Sequence, residues 1–185
     1  DNTEAGLVLT GRVAQVTVTG NYIDNASVEW TNEHHSTPDS AGQPPFGGLT
    51  GGPVAGLRRL FVSPGPIFDP EGRGPNWWGS AAALSAAGVQ AGDVILNTFS
   101  YHLTPAAFIF EAGAEALRCP VIPAGPGNTA DQLVAIRQYR PRVYVGVPDF
   151  LKIILDKADE MGVELGFTRA VVGGGALFPS LRQLY

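Results

Sequence analysis

Arg142-Val143-Tyr144-Val145-Gly146-Val147 runs directly into Pro148-Asp149-Phe150-Leu151-Lys152-Ile153-Ile154-Leu155-Asp156-Lys157-Ala158-Asp159-Glu160-Met161. In the first piece Val143, Val145 and Val147 alternate with Tyr144 and Gly146, the period of a strand. In the second, Phe150, Leu151, Ile154, Leu155 and Ala158 form one apolar stripe at helical spacing. Lys152, Asp156, Asp159 and Glu160 lie mostly away from that stripe, and Gly162 ends it. A strand passing straight into an amphipathic helix is half of a strand-helix-strand unit, and the neighbouring sequence supplies more of them.

Upstream, Val94-Ile95-Leu96-Asn97-Thr98-Phe99 reads as a buried strand, and Pro105 to Leu117 as a helix with Phe108, Ala112 and Glu115 at helical spacing. Pro120 to Ile122 is a short strand. Thr129 opens the next helix, with Gln132 three places on as a capping box. Downstream, Arg169 to Val172 is a strand, and Gly173-Gly174-Gly175 turns the chain toward a last helix after Pro179. The alanine-rich segment from Asn76 to Ala87, with Trp77, Trp78 and Leu84, predicts a helix stopped by Gly88.

Strand and helix therefore alternate four times between Val94 and Tyr185. The strands are near-continuous Val/Ile/Leu runs, as expected when both faces are covered. This predicts an α/β domain, a mostly parallel sheet with helices on both faces. Right-handed crossovers bring all strand C-terminal ends to one edge, where ligands of such sheets bind. The loops at that edge are Ser100–Thr104, Ala124–Asn128, Pro148–Asp149 and Gly173–Leu177.

Residues 58–185 carry this pattern. Residues 44–57 form a Pro/Gly-rich connector, with Pro44-Pro45-Phe46-Gly47-Gly48 and Gly51-Gly52-Pro53. Residues 1–43 form a polar N-terminal arm, β-rich or irregular, in which Val13, Val16 and Val18, then Val28 and Trp30, sit among Thr, Asn and Ser. Asn25-Ala26-Ser27 matches a glycosylation acceptor that a cytoplasmic protein would not use. His34-His35 reads as exposed and polar, since no further ligands cluster nearby.

The chain has 185 residues, room for one domain and a sizeable core, and a formal net charge of −5. That charge argues against a main business of gripping nucleic acid or anionic lipid. No apolar run reaches membrane-span length, and no secretory leader opens the chain. The first residue is Asp1, so a removed leader stays open. Cys119 is the single cysteine, which excludes an intrachain disulfide and fits a reducing cytoplasm. Opening the run Cys119-Pro120-Val121-Ile122, it reads as a small core residue rather than a nucleophile.

Four loops could carry chemistry. Leu60-Phe61-Val62-Ser63-Pro64-Gly65-Pro66-Ile67-Phe68 reads as a strand breaking into a Gly/Pro loop that feeds the helix beginning near Asn76. Such a loop can aim N–H groups at an anion, with Ser63 donating, or be a turn and nothing more. Phe99-Ser100-Tyr101-His102 follows a strand. Tyr101 and His102 could line a pocket for a flat apolar group or act in acid/base chemistry, or could merely plug the sheet edge. Ala124-Gly125-Pro126-Gly127-Asn128-Thr129 is an anion nest or, more simply, a capped turn. Gly173-Gly174-Gly175 suggests a ligand passing close to the backbone. It is not a dinucleotide fingerprint, because the last required glycine is Phe178.

Taken in order, the segment from about Arg58 to Tyr185 resembles the adenylate-forming (AMP-dependent synthetase) ligases, most closely their phenylacetate-CoA ligase branch. Ala86-Ala87-Gly88-Val89-Gln90-Ala91-Gly92-Asp93 is similar to the family's AAG-V-x-x-GD approach to a strand. Phe99-Ser100-Tyr101-His102 sits where the family has its aromatic-rich acyl-pocket segment. Cys119 to Thr129 resembles the G-x-x-VIP-x-x-x-G-x-T stretch, and Pro141 to Pro148 the P-x-x-x-x-x-x-P strand and turn. Gly173-Gly174-Gly175-Ala176-Leu177 resembles the turn that lies against the acyl-adenylate.

The resemblance implies the N-terminal subdomain of such a ligase, using ATP, Mg²⁺ and CoA to activate a small carboxylic acid, aryl or similarly apolar, and transfer it to CoA. It implies Ser63, Gly65, Gly173, Gly174 and Gly175 at the nucleotide, Tyr101 and His102 at the acid, and no resident metal held by the protein itself. No nucleic-acid or membrane partner is expected, and a homodimer stays open. The family's phosphate loop has a lysine that is absent here, while Pro64 and Pro66 lack N–H donors. Ala176 replaces the closest branch's acidic residue. The chain ends before the family's later adenine- and Mg-binding motif and its lysine-bearing C-terminal domain, so a fragment, inactive by itself, is expected. A degenerate relative that binds nucleotide or acyl ligand, or a purely structural module, is the alternative.

Overall fold

The computed structural model describes residues 7–9, 15–18, 46, 52–64 and 67–185. Its elements in chain order are β1 (Leu7–Leu9), β2 (Gln15–Val18), a 3-10 turn (Val54–Gly56), β3 (Arg59–Ser63), β4 (Ile67–Glu71) and α1 (Ser80–Ala86). There follow β5 (Ile95–Asn97), α2 (Ala106–Ala116), β6 (Val121–Pro123), α3 (Thr129–Tyr139), β7 (Val143–Gly146), α4 (Pro148–Met161), β8 (Arg169–Val172) and α5 (Pro179–Leu184). The main sheet has the order β1-β2-β8-β7-β5-β6, and β3-β4 form a separate hairpin. Every neighbour pair from β2 to β6 is parallel, and β1 with β2 is antiparallel. Val16 and Val18 of the arm thus lie in β2, while Val13, Asn25, Val28, Trp30, His34 and His35 fall outside the described residues.

The pleat sorts the central strands onto two cores. Ile95, Val143, Val145 and Val171 face one way, with Leu84 and Ala87 around α1 and Ala107 and Ala114 of α2. Leu96, Tyr144, Ala170 and Val172 face the other, packed against Leu133 and Ile136 of α3 and Leu151, Ile154 and Ala158 of α4. All four residues of β7 are buried, which is why it carries no polar alternation. The fold is the expected α/β arrangement, a mostly parallel sheet with helices on both faces. Each fully buried Val, Leu or Ile contributes about 1.5–3 kcal/mol.

Three local expectations change. The stretch from Leu60 to Gly74 is not strand, loop and helix but an antiparallel hairpin, with Arg59 opposite Glu71 and Ser63 opposite Ile67. Pro70 is tolerated because its partner Leu60 turns its backbone outward. Val62, two residues on and pointing the same way, gives its N–H to the Leu103 carbonyl at 2.9 Å. Glu71 is fully buried and takes the Arg59 guanidinium through both oxygens at 2.9–3.0 Å. Arg59 lies 4.5 Å above the Phe108 ring, so the hairpin is bolted to α2 by an ion pair and a cation–π contact.

The second change is the start of α1, at Ser80 rather than Asn76. Asn76 and Gly79 both take left-handed conformations, which alanine-rich composition downstream does not reveal. The Asn76 side-chain oxygen accepts the Ala81 N–H at 3.0 Å instead. The third is the capping box: Asn128 precedes α3 in a left-handed conformation without a side-chain cap. Gln132 turns its amide onto the Gly125 and Gly127 carbonyls, at 2.8 and 2.7 Å. Gly88 does end α1, with φ +80°, and Val89 returns its N–H to Leu84.

Two predictions concern this core. A Cβ on Gly146 would stand 1.9 Å from Thr98 Oγ1 and 2.4 Å from the Tyr144 hydroxyl. Gly146→Ala is therefore expected to destabilise by about 1–3 kcal/mol in urea unfolding, the range for overpacking. An unchanged midpoint would refute the packing described. Burial, with the Asp149 charge assisting, pushes the Tyr185 phenol up from the ordinary 10.0 to about 12, and burial also raises that of Tyr144. A raised phenol keeps its proton in the folded chain where the unfolded chain has released it. Stability is then complete below about pH 10 and falls as pH rises through about 12. Tyr185→Phe should flatten that fall, which is about 1.4 kcal/mol per pH unit for each retained proton.

Candidate functional site

β5, β6, β7 and β8 are mutually parallel, so their C-terminal ends share one edge. β7 ends directly at Val147 and the α4 start, Pro148. β8 ends in the glycine run. Gly173 extends the pairing by donating to the Gly146 carbonyl at 3.1 Å. Gly174 then takes φ +68°, and a Cβ there would lie 3.5 Å from both Phe99 Cε1 and Val147 Cγ1. One on Gly175 would lie 3.5 Å from the Pro148 ring. Three strand ends converge here on exposed, side-chain-free backbone. The Phe99 ring beside it stacks on Phe110 at 5.3 Å with 6° between planes.

Asn97 is the hub of this edge, and the sequence reading passed over it. It is buried at the last position of β5. Its Nδ2 donates to the Tyr101 hydroxyl at 3.1 Å and to the Ala107 carbonyl at 2.9 Å. Its Oδ1 accepts the Phe99 N–H at 3.2 Å. Its backbone carbonyl accepts the N–H groups of Ala124 and Gly125 at 3.0 and 3.1 Å. One residue thus ties the loop after β5, the first turn of α2 and the loop after β6. The available signal was an amide ending an otherwise apolar strand, since a buried polar side chain needs partners.

Tyr101 is half-buried, with its ring edge-on to Phe108 at 5.2 Å. Burial first, and then the Glu111 carboxylate, push its phenol well above the usual range, with the Asn97 hydrogen bond opposing. Tyr101 is therefore a neutral, fixed wall rather than a proton-transfer group. His102 is exposed, and its N–H donates to Ser100 Oγ at 3.1 Å within the turn. Ser63 comes alongside this turn, because Val62 next to it bonds Leu103. The Ser63 hydroxyl already donates to Asp69 at 3.0 Å across the hairpin. Gly65 lies outside the described residues. The segment from Phe99 to Leu103 thus touches the glycine run at one end and the hairpin at the other.

Cys119 is buried, and burial raises its thiol, the opposite of what a nucleophile needs. Among the described residues no group of three or more His, Cys, Asp or Glu gathers as a metal site. None of their helices is long and apolar enough to cross a membrane. The donor set for Mg²⁺ is therefore not among them, whereas the open glycine backbone at the sheet edge fits a flat ligand lying against it.

No family model matches the chain. It is 31% identical over 93 residues, half of its length, to the phenylacetate-coenzyme A ligase of Aromatoleum evansii. It is 30% identical over 106 residues to that of Thermus thermophilus, and 31% over 91 residues to that of Pseudomonas putida. These matches span only 21–24% of the relatives' length. Among solved structures, a 2-hydroxyisobutyryl-CoA ligase in complex with 2-HIB-AMP and CoA superposes with TM-score 0.67. It covers 83% of this chain and 34% of its own, at 21% identity. The same ligase in its postadenylation state gives 0.60. The chain is thus similar in sequence to phenylacetate-CoA ligases and shares the fold of an adenylate-forming CoA ligase.

Gly174→Val tests the glycine edge. A β-branched residue at φ +68° beside Phe99 should cost about 1–2 kcal/mol in urea unfolding. Full stability would mean that the loop is free to rearrange.

Proposed function

We propose that this chain is the N-terminal part of an acid–CoA ligase acting on an apolar carboxylic acid. The carrying observation is the convergence of Phe99, Val147 and Pro148 on the exposed Gly174-Gly175 backbone at the parallel-sheet edge. In the proposed reaction a carboxylate oxygen of the acid attacks the α-phosphorus of ATP. The P–O bond to the β-phosphate breaks, and pyrophosphate leaves. The CoA sulfur, having lost its proton, then attacks the acyl carbon, and AMP departs with the electron pair of the broken C–O bond.

In this reading Gly173, Gly174 and Gly175 let the adenylate lie against backbone, and Phe99 and Tyr101 bound the acyl group, with His102 at the rim. Ser63 and Gly65 stand toward the pyrophosphate end. The chain's contribution is orientation and exclusion of water around the reacting carboxylate. Mg²⁺, when bound, would neutralise phosphate charge. A single, buried cysteine supports a cytoplasmic setting. One observation favours the alternative, a relative that binds without turnover: the Ser63 hydroxyl is engaged by Asp69, and Pro64 offers no N–H.

A non-hydrolysable phenylacetyl-adenylate analogue is expected to raise the melting temperature of the 185-residue chain, while acid-dependent ATP–pyrophosphate exchange by the chain alone stays at background. No shift with any aryl or alkyl acyl-adenylate analogue would sink the reading. Ser63→Ala should weaken ATP by less than about threefold, because its proton is already given to a carboxylate. A loss beyond about tenfold would make Ser63 a phosphate ligand after all.

A further inference from the structure

The Tyr101 hydroxyl is engaged from two directions. Asn97 Nδ2 donates to it from β5 at 3.1 Å, and the same nitrogen holds the Ala107 carbonyl of α2. Glu111 lies one helical turn beyond Ala107 and three residues beyond Phe108, whose ring packs on Tyr101. Helical spacing turns residues 107, 108 and 111 toward one side, and the Glu111 carboxylate is within hydrogen-bonding influence of the phenol.

We propose that Asn97 and Glu111 are positioning residues that clamp the Tyr101 hydroxyl from both sides. This wall of the acyl pocket then presents ring carbon and no free donor, and it selects an acid whose acyl group is apolar there over one bearing a hydroxyl. The inference rests on Tyr101 bounding the acid in the proposed function. Its chemistry is that of a saturated phenol, with the single O–H proton on Glu111 and a lone pair taken by Asn97. A substrate hydroxyl packed against this wall loses its water and gains no partner. The donor-seeking carboxylate is meanwhile occupied within the protein, so the specificity is encoded by residues that need not touch the acid.

The test uses the whole 185-residue chain and its Glu111→Gln, Glu111→Ala and Tyr101→Phe variants. With ¹³C-tyrosine labelling, the Cζ resonance missing in Tyr101→Phe identifies Tyr101. It should move in both Glu111 variants, and an unmoved resonance overturns the clamp. By calorimetry the unsubstituted chain should bind a non-hydrolysable phenylacetyl-adenylate analogue about tenfold or more tightly than its 4-hydroxyphenylacetyl counterpart. Glu111→Ala should cut that preference below about threefold, and Glu111→Gln, which still accepts a hydrogen bond, should retain most of it. Equal binding by the unsubstituted chain, or a preference untouched in Glu111→Ala, overturns the selectivity. Binding of neither analogue overturns the proposed function and the selectivity with it, while the Cζ resonance still decides the clamp independently.

Discussion

Burial on both faces of β5, β7 and β8 is the constraint from which the rest follows. A strand covered on both sides has no position for a solvated side chain, so every residue of β7 is buried and polar groups are pushed to the strand ends. Parallel pairing gathers those ends along one edge. The crowding there is a consequence of the sheet rather than a separate feature. Phe99, Gly174 and Pro148 meet because β5, β7 and β8 are neighbours in register, with Leu96 opposite Tyr144 and Tyr144 opposite Ala170.

The same constraint explains what could be read from the sequence. Continuous Val/Ile runs and the stripe of α4 report burial directly, and burial is what fixes the sheet and its helices. The β3-β4 hairpin was misread because its second strand, Ile67-Phe68-Asp69-Pro70-Glu71, contains a proline and two acids. Its stability comes from partners remote in sequence: the Arg59–Glu71 pair and the Phe108 ring. The start of α1 was missed for a different reason. Backbone conformation at Asn76 and Gly79 overrides the helix propensity of the residues around them.

For the candidate site, position was legible and partnership was not. Tyr101, His102 and the three glycines could be singled out because they follow strands. That the Tyr101 hydroxyl would meet Asn97, that Ser63 would face Asp69, and that Gln132 would turn back onto the 125–127 loop depend on side-chain directions set by tertiary packing. Asn97 illustrates the difference best. Its type and place were visible, but its five hydrogen bonds join segments up to 28 residues apart, and no local pattern records them.

The cluster of Thr98, Tyr144 and Gly146 also bears on how such a sheet could change over generations. Tyr144 reaches past its own strand to the Val147 carbonyl, with Thr98 Oγ1 beside it, through space that any side chain at position 146 would fill. The three positions are therefore linked in order as well as in space. A lineage can adopt the tyrosine only after glycine stands at 146, and can abandon the glycine only after the tyrosine has gone. Residues 98, 144 and 146 should vary as a set among relatives that share this backbone, with the glycine the first to arrive and the last to leave.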